Sequence, residues 1–225
     1  MSRIAVFFLQ LIVLILAMLL ALLGVETIPT NPIGWQLLLV GVAFIARTII
    51  VYSNRKECFW ESALGGAAMH EERGDRSYWL IILGMIAVFF SSPIEYIYLS
   101  TLIHDARVLS FGFSLVTLGV VLFVWARRTL GLNYLGHFPA ENLQKLVKSG
   151  PYRFIHHPDY AGILFMAVGI GLGYSSFAGL FSVFALLLPG LIKRMNMEEK
   201  LLAEQLGDAY RQYVIMVNRL IPCIW

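Results

Sequence analysis

Residues Tyr160 to Ile192 read YAGILFMAVGIGLGYSSFAGLFSVFALLLPGLI, a continuous apolar segment. A helix of about 20 apolar residues already crosses the hydrocarbon core of a bilayer, so this segment is too long for one untilted span. Small and polar residues interrupt it near the middle: Gly169, Gly171, Gly173, Tyr174, Ser175 and Ser176. Clusters of this kind commonly break helices. The segment is therefore predicted to fold as a helical hairpin, which returns both of its ends to one face of the membrane.

Further apolar segments precede the hairpin in the chain. Each is close to the length of a membrane span, and they run from Ile4 to Val25, Ile33 to Tyr52, Trp79 to Ile103 and Val108 to Ala126. The chain is 59% hydrophobic and 14% charged, with a mean hydropathy of +0.75, whereas a soluble domain is about 25% charged. The predicted fold class is all-α: a polytopic integral membrane protein with four N-terminal transmembrane helices, a C-terminal transmembrane hairpin and a cytoplasmic amphipathic helix.

Basic residues indicate which ends of the helices face the cytoplasm. If residues 127–159 are placed inside, alternation along the chain puts nearly all lysines and arginines on that same side. Arg107 falls outside, and Arg47 lies near the inner end of the second segment, where its long side chain can reach the headgroups. Both termini, and the polar residues that flank the hairpin, are therefore predicted to be cytoplasmic.

Charge and cysteine content exclude several classes of function. A net charge of +3, without a basic run interleaved with aromatic residues, gives no nucleic-acid footprint, so no nucleic-acid partner is expected. Cys58 and Cys223 are too few and too far apart for a disulfide framework or a metal cluster, and both are interpreted as reduced thiols. No Gly-x-Gly-x-x-Gly motif follows a strand, which excludes a soluble Rossmann-type enzyme.

Two polar clusters flank the hairpin and are predicted to meet at its cytoplasmic end. The first is Gly150 to Tyr160, GPYRFIHHPDY, in which Gly-Pro marks a turn and Pro158 suits the first turn of a helix. The second is Lys193 to Lys200, KRMNMEEK, in which Arg194 and Glu198 stand four residues apart on one helix face. From the residues alone, the first is explained equally well by an interfacial turn or a site, and the second by a surface ion pair.

Glu95 is an ionisable residue within the third apolar segment, after Ser91-Ser92-Pro93. Such a residue is a candidate for function, but it lies toward the outer half of the span, away from the two clusters. A structural or outer-interface role is therefore favoured. The loop 54–78 mixes charges of both signs and is predicted to be solvated.

Together, the two polar clusters resemble the isoprenylcysteine carboxyl methyltransferase family. The family pattern reads Leu-Val-x-x-Gly-x-Tyr, then Arg-His-Pro-x-Tyr, then Arg-x-x-x-Glu and Phe-Gly-x-x-Tyr-x-x-Tyr. The residues that match it are Leu146, Val147, Gly150, Tyr152, His157, Pro158, Tyr160, Arg194, Glu198, Gly207, Tyr210 and Tyr213. The resemblance covers the chain from Leu130 to the C-terminus, and residues 1–126 match only as generic spans. Membrane phospholipid methyltransferases are related to this family.

The resemblance implies that residues 127–225 form the catalytic region, with a cofactor-binding segment 130–160, the hairpin 160–192 and a C-terminal helix 193–216. It also implies S-adenosyl-L-methionine as the methyl donor, held without a Rossmann fold. The positions that match cofactor contacts are His137, Gln144, Lys145, Leu146, Val147, Tyr152, His157, Pro158, Asp159, Tyr160 and Glu198. Arg194 matches a substrate-facing position, so Arg194 and Glu198 are the predicted catalytic residues. His156 and Gln144 depart from the family pattern, which usually has Arg and His there.

The resemblance implies methyl transfer to a lipophilic acceptor that enters from the bilayer, while the donor arrives from the cytoplasm. An isoprenylcysteine carboxylate is the first acceptor considered, with Arg194 orienting it and Glu198 pairing with the ammonium or ribose of the donor. Methyl transfer needs an in-line approach and little water but no metal ion, and none is predicted. Three alternatives stay open: a phospholipid or thiol acceptor in the same fold, an NADPH-dependent sterol-type reductase, and a non-enzymatic membrane subunit. The oligomeric state is also open.

Overall fold

The computed structural model describes residues 3–42, 77–99, 105–130 and 146–221. Its helices are α1 Arg3–Thr27, α2 Ile33–Val42, α3 Ser77–Tyr98, α4 Ala106–Leu130, α5 Pro158–Gly173, α6 Phe177–Leu206 and α7 Asp208–Met216. A 3₁₀ turn occupies Gly150–Arg153, and one turn of π-helix lies within α6 at Val183–Leu187. These residues contain no β-strand, so the predicted all-α class is confirmed for the described part of the chain.

Among the described residues, three helices are long and apolar enough to cross a membrane: α3, α4 and α6. The first two correspond to the third and fourth predicted spans, and α6 is the second arm of the hairpin. The first arm, α5, has 16 residues, which is about 24 Å of helix against a hydrocarbon core of about 30 Å. The predicted count of four N-terminal spans plus a transmembrane hairpin is therefore not confirmed. Residues 43–76, which include most of the predicted loop 54–78, lie outside the described ranges.

The C-terminal part of the chain also differs from the single helix predicted over 193–216. Residues 193–206 are the last turns of α6, which begins far upstream at Phe177. Gly207 has a positive φ of 56° and separates them from α7. Glycine adopts this conformation readily because it has no Cβ atom. The second arm of the hairpin and the polar segment after it are thus one continuous helix, and α7 is a separate helix.

The hairpin forms, but its turn is shorter than the interruption in the sequence suggests. α5 continues as helix through all three glycines as far as Gly173, and the chain reverses at residues 174–176. Ser175 has a positive φ of 51° in this turn. Ser176 then caps α6, because its hydroxyl accepts a hydrogen bond from the Gly179 amide at 2.8 Å. The glycines, predicted to break the helix, serve instead as a packing surface.

Glu95 lies near the end of α3 and caps the N-terminus of α6. Its carboxylate accepts hydrogen bonds from the Ser176 hydroxyl (2.5 Å) and the Ala178 amide (2.9 Å). A carboxylate beside the amides of a helix N-terminus is stabilised by their partial positive charge. Because α3 remains helical through Pro93, it delivers this carboxylate to the hairpin turn. The contact fits the structural role that the sequence favours for Glu95.

α4 and α5 run antiparallel and pack through glycines. A Cβ atom added at Gly112 would lie 2.5 Å from the backbone nitrogen of Gly173, and one added at Gly119 would lie 2.6 Å from the carbonyl oxygen of Gly162. Real Cβ atoms do not approach the backbone so closely. Small residues that permit this approach are characteristic of helix interfaces in membranes, where van der Waals packing holds helices together. The pairing places the C-terminal end of α4 beside the start of α5.

Buried polar contacts attach the connection between α1 and α2 to the hairpin turn. The hydroxyls of Thr27 and Tyr174 form a hydrogen bond of 2.9 Å, and the Asn31 side-chain amide donates to the Gly173 carbonyl at 2.8 Å. Thr27, Asn31 and Tyr174 are each at most 1% exposed. Because buried polar groups need partners, these contacts specify where the turn sits. They fix the end of α5 that is opposite to Pro158.

We expect Gly119→Val to destabilise the helix bundle by about 1–3 kcal/mol, because the added atoms have no space against the backbone of α5. The measurement is the midpoint of thermal unfolding in detergent. Ser114→Val, on the exposed face of α4, is the control and should leave the midpoint within about 2 °C of the parent. A Gly119→Val protein as stable as this control would show that α4 and α5 do not pack through the glycine.

Candidate functional site

The segment before α5 turns the chain at one end of the bundle. Gly150 has a positive φ of 59° and begins the 3₁₀ turn Gly150–Arg153. Pro158 is the first residue of α5, as predicted, since the amide missing from proline has no intrahelical acceptor at this position. Residues 154–157 connect the turn to the helix. They carry the two histidines of the first polar cluster.

A short C-terminal segment, residues 217–220, lies along this connection and is called the C-terminal strap below. Its Asn218 carbonyl accepts a hydrogen bond from the His156 amide (2.8 Å), and its Arg219 carbonyl accepts one from the His157 amide (3.1 Å). These backbone contacts join the last described residues of the chain to the segment that starts α5. The backbone at the two histidines is therefore held by the strap as well as by the hairpin.

The two predicted clusters meet through Glu198. The Tyr160 hydroxyl donates to Glu198 Oε1 at 2.6 Å, and Arg194 Nε donates to the same oxygen at 2.8 Å. His157 Nδ1 lies 4.0 Å from the other carboxylate oxygen. The side chains of Arg194 and Glu198 are only 15% and 19% exposed, so this pair is more shielded than an ordinary surface ion pair. The predicted meeting of the turn with Arg194 and Glu198 is confirmed.

Glu199, the next residue of α6, makes a second set of contacts. Its Oε1 lies 2.8 Å from Arg219 Nε and 3.1 Å from His157 Nε2, and His156 Nδ1 lies 4.0 Å away. The other ring nitrogen of His156 hydrogen bonds to the Val217 carbonyl of the strap. A carbonyl can only accept, so that nitrogen carries the hydrogen of this bond. The carboxylate of Glu199 thus joins α6, the segment before α5 and the strap.

His156, His157 and Glu199 offer ligand atoms within 4.8 Å of one another, a spacing that a metal ion can bridge. The Glu199 oxygen, however, is already bound by the guanidinium of Arg219 at 2.8 Å. A divalent cation would meet this fixed positive charge and would also lose water on entry, and both effects oppose binding. The donor set therefore favours an ion-pair and hydrogen-bond cluster over a metal centre.

Buried tyrosines complete the site on the side of α7. Burial raises the pKa of Tyr213 to about 12, and burial also raises the pKa of Tyr152 and of Tyr210. All three hydroxyls therefore stay protonated at physiological pH and can donate hydrogen bonds. Tyr213 donates to the Tyr152 carbonyl at 2.5 Å, whereas the buried Tyr210 hydroxyl has no hydrogen-bond partner among the described residues. A buried donor of this kind is a candidate for a ligand contact.

An open pocket of about 390 Å³ adjoins the Glu199 contacts. His156, Glu199 and Arg219 supply polar groups to its lining, and the remainder comes from residues 214–218. Its volume is within the range of small-molecule sites, about 300–1,000 Å³. Glu198 does not line it. The pocket therefore lies on the Glu199 side of the site, where strap residues form part of its lining.

Most of the predicted site residues lie at this end of the bundle, and some fall outside the described residues. Those that the fold brings together are Tyr152, His157, Pro158, Asp159, Tyr160, Arg194 and Glu198. Leu146 and Val147 are half-buried in the extended chain that leads into the turn. His137, Gln144 and Lys145 lie outside the described ranges. Their predicted contacts with a cofactor stay predictions, as do those of the described residues.

The site also contains Glu199, Arg127 and Arg219, which are not among the predicted site residues. Glu199 follows a predicted residue, and the doubled glutamate is the signal that could have found it. Arg127, at the C-terminal end of α4, interacts electrostatically with Asp159 and Tyr152, but an arginine that ends an apolar span usually serves as an interfacial anchor. Arg219 follows the last motif of the pattern. Its role depends on how the strap folds back, which no local spacing reveals.

A known protein family matches the region that holds most of the site. Residues 108–209 match a family model described as phospholipid methyltransferase, which belongs to the same group of membrane methyltransferases as the isoprenylcysteine family. No curated protein matches the chain significantly. The matched range contains the turn before α5 together with Arg194, Glu198 and Glu199, and it ends before the strap. Residues 108–209 are therefore similar in sequence to the membrane methyltransferases of the phospholipid methyltransferase family.

Proposed function

We propose that the chain is an S-adenosylmethionine-dependent methyltransferase that acts on a lipophilic acceptor at the cytoplasmic face of a membrane. The observation that carries this proposal is the carboxylate of Glu198 held between Tyr160 and Arg194, inside the region that matches membrane methyltransferases. The same match favours a methyl donor over the NADPH of a sterol-type reductase. It also favours an enzyme over a non-enzymatic membrane subunit.

The groups at this end of the bundle suit the polar parts of the donor. When bound, S-adenosylmethionine supplies a methyl group on a positively charged sulfonium. Glu198 offers a carboxylate to the donor's ammonium or ribose hydroxyls, and Tyr210 offers a buried hydroxyl without a partner among the described residues. The rings of His157 and Tyr160 stack 5.5 Å apart, and such rings provide flat surfaces for an adenine. These features support a ligand that carries both a cationic group and an aromatic ring.

We assign Arg194 to the acceptor. Its Nε hydrogen bonds to Glu198 at 2.8 Å, so the carboxylate fixes the direction of the guanidinium. A guanidinium presents several N–H groups in one plane and binds carboxylates and phosphates through them. An anionic acceptor loses negative charge as it attacks the methyl group, so a site with little water favours the reaction. Arg194 therefore orients the acceptor, and positioning supplies most of the rate.

Different observations support two classes of acceptor. The cationic Arg194 favours an anion, and the carboxylate of an isoprenylcysteine is the first candidate. The family description names phospholipids, which makes the amine of an ethanolamine headgroup the second candidate, with Arg194 on its phosphate. In both cases the apolar tail stays in the bilayer and only the reacting group reaches the ends of the helices.

We expect S-adenosylmethionine and its product S-adenosylhomocysteine, but not NADPH, to stabilise the purified protein against heat in detergent. A ligand at a hundred times its Kd adds about 2.7 kcal/mol to the folded state, which raises the unfolding midpoint by about 5–10 °C. Glu198→Gln should weaken donor binding about tenfold or more, because an amide replaces the carboxylate that pairs with the donor. Glu204→Gln, at an exposed position of the same helix, is the matched control and should bind as the parent does.

Stabilisation by NADPH alone would replace this proposal with the reductase. A parent protein that responds to none of the three compounds would refute donor binding altogether. Equal donor affinity in Glu198→Gln and Glu204→Gln would keep the enzyme class but remove Glu198 from the donor site.

Arg194→Gln should slow methyl transfer about 100-fold or more even when the donor is saturating, since the change removes the cation assigned to the acceptor. Transfer is measured with radiolabelled donor on micelles that contain either a prenylated cysteine or phosphatidylethanolamine. The acceptor that gains the label identifies the substrate class. Lys193→Gln, an exposed cationic neighbour on α6, should keep full activity. Parent-like transfer by Arg194→Gln on both acceptors would contradict its role.

A further inference from the structure

We propose that the C-terminal strap is part of the donor site and that Arg219 is a positioning residue for donor binding, an inference that rests on the proposed function. The strap lies beyond the range 108–209 that matches the methyltransferase family, and no motif of the family pattern reaches it. Its contacts nevertheless converge on His157 and Glu199, in the centre of the site.

Arg219 contacts α6 through its guanidinium group. Arg219 Nε donates to Glu199 Oε1 at 2.8 Å, and another guanidinium nitrogen donates to the side chain of Asn196. The side chains of Arg219 and Glu199 are 18% and 24% exposed. A planar guanidinium with two anchor points on one helix is held in a single orientation. Arg219 therefore determines where the Glu199 carboxylate lies.

The ring of His157 connects Glu199 to Glu198, because it lies between the two carboxylates. Its Nε2 is 3.1 Å from Glu199 Oε1, and its Nδ1 is 4.0 Å from Glu198 Oε2. The same ring stacks on Tyr160, whose hydroxyl donates to Glu198. A displacement of the Glu199 carboxylate thus changes the position of the ring. That ring lies beside Glu198 and Tyr160, two of the groups assigned to the donor.

The backbone of the strap also contacts the segment before α5. Its carbonyls accept the amide hydrogens of His156 and His157, and its Val217 carbonyl hydrogen bonds to the His156 ring. The strap therefore holds both the backbone of the turn and one of its side chains. Arg219 is the residue that ties this strap to α6 by a charged contact.

Loss of the Arg219 cation should affect donor binding more than the chemical step. Without it, the shielded Glu199 carboxylate keeps only histidine partners among the contacts described here, which disfavours its present position. The change falls on the side of the site assigned to the donor, whereas the acceptor is assigned to Arg194. Arg219 is thus expected to act on the KM for the donor and to leave kcat nearly unchanged.

The test measures the donor's Kd and KM together with kcat in variants of the full chain. Arg219→Gln should raise Kd and KM for S-adenosylmethionine about tenfold or more and leave kcat within about threefold. Arg219→Lys keeps the charge and should restore donor affinity to within about threefold of the parent. Arg211→Gln is the matched control, because Arg211 forms an exposed ion pair with Asp208 on the neighbouring helix, and it should behave as the parent does.

A double-variant cycle with Glu199→Gln tests the connection itself. Combining Arg219→Gln and Glu199→Gln should weaken donor binding no more than Glu199→Gln alone, because both changes break one contact. If Arg219→Gln does not fold, Glu199→Gln alone carries the test and should show about tenfold weaker binding. Parent-like affinity in either single variant, or additive losses in the double variant, would overturn the inference. A parent protein that does not bind the donor would instead refute the proposed function.

Discussion

Adjacent carboxylates at the end of an apolar helix impose the main constraint on this structure, because each needs a partner where water is scarce. The partners are Tyr160 and Arg194 for Glu198, and His157 and Arg219 for Glu199. Successive residues of a helix point about 100° apart, so the two sets of partners come from different directions. One set includes the first turn of α5, and the other includes the strap. Pairing both carboxylates therefore gathers α5, α6 and the strap into one cluster.

The apolar part of the chain determines where that cluster forms. Glycines at the α4 and α5 interface bring the two backbones into contact, so the distance between these helices cannot vary with side-chain packing. At the far end of α5, Glu95 and Tyr174 fix the hairpin turn. The start of α5 is thereby placed beside the last turns of α4 and α6. Contacts between small residues and a few satisfied polar groups hold the helices in this arrangement. Moving an apolar surface from lipid into a helix interface gains little free energy.

The sequence predicts those features whose signals are local. Apolar length indicates the helical class, proline chemistry indicates the start of α5 at Pro158, and helical spacing places Arg194 and Glu198 on one face. The arms of the hairpin are less predictable, because a glycine can end a helix or pack it closely. Gly173 does the latter: the Ile33 side chain fills the space that a Cβ atom would need, and Gly112 packs against the Gly173 backbone. Both neighbours lie on other helices, so the local sequence does not reveal them. Arg219 has no local signal, because its partner Glu199 lies on another element.

Position 156 shows how a local departure from the family pattern is explained by a distant contact. The pattern usually has Arg before His-Pro, and this chain has His156, whose ring hydrogen bonds to the strap. A guanidinium keeps its charge at all physiological pH values, whereas an imidazole does not. The permanent charge beside Glu199 comes instead from Arg219. The charge on this side of the site therefore depends on the position of the strap, whereas Arg194 and Glu198 share α6 and are joined to α5 through the Tyr160 hydroxyl.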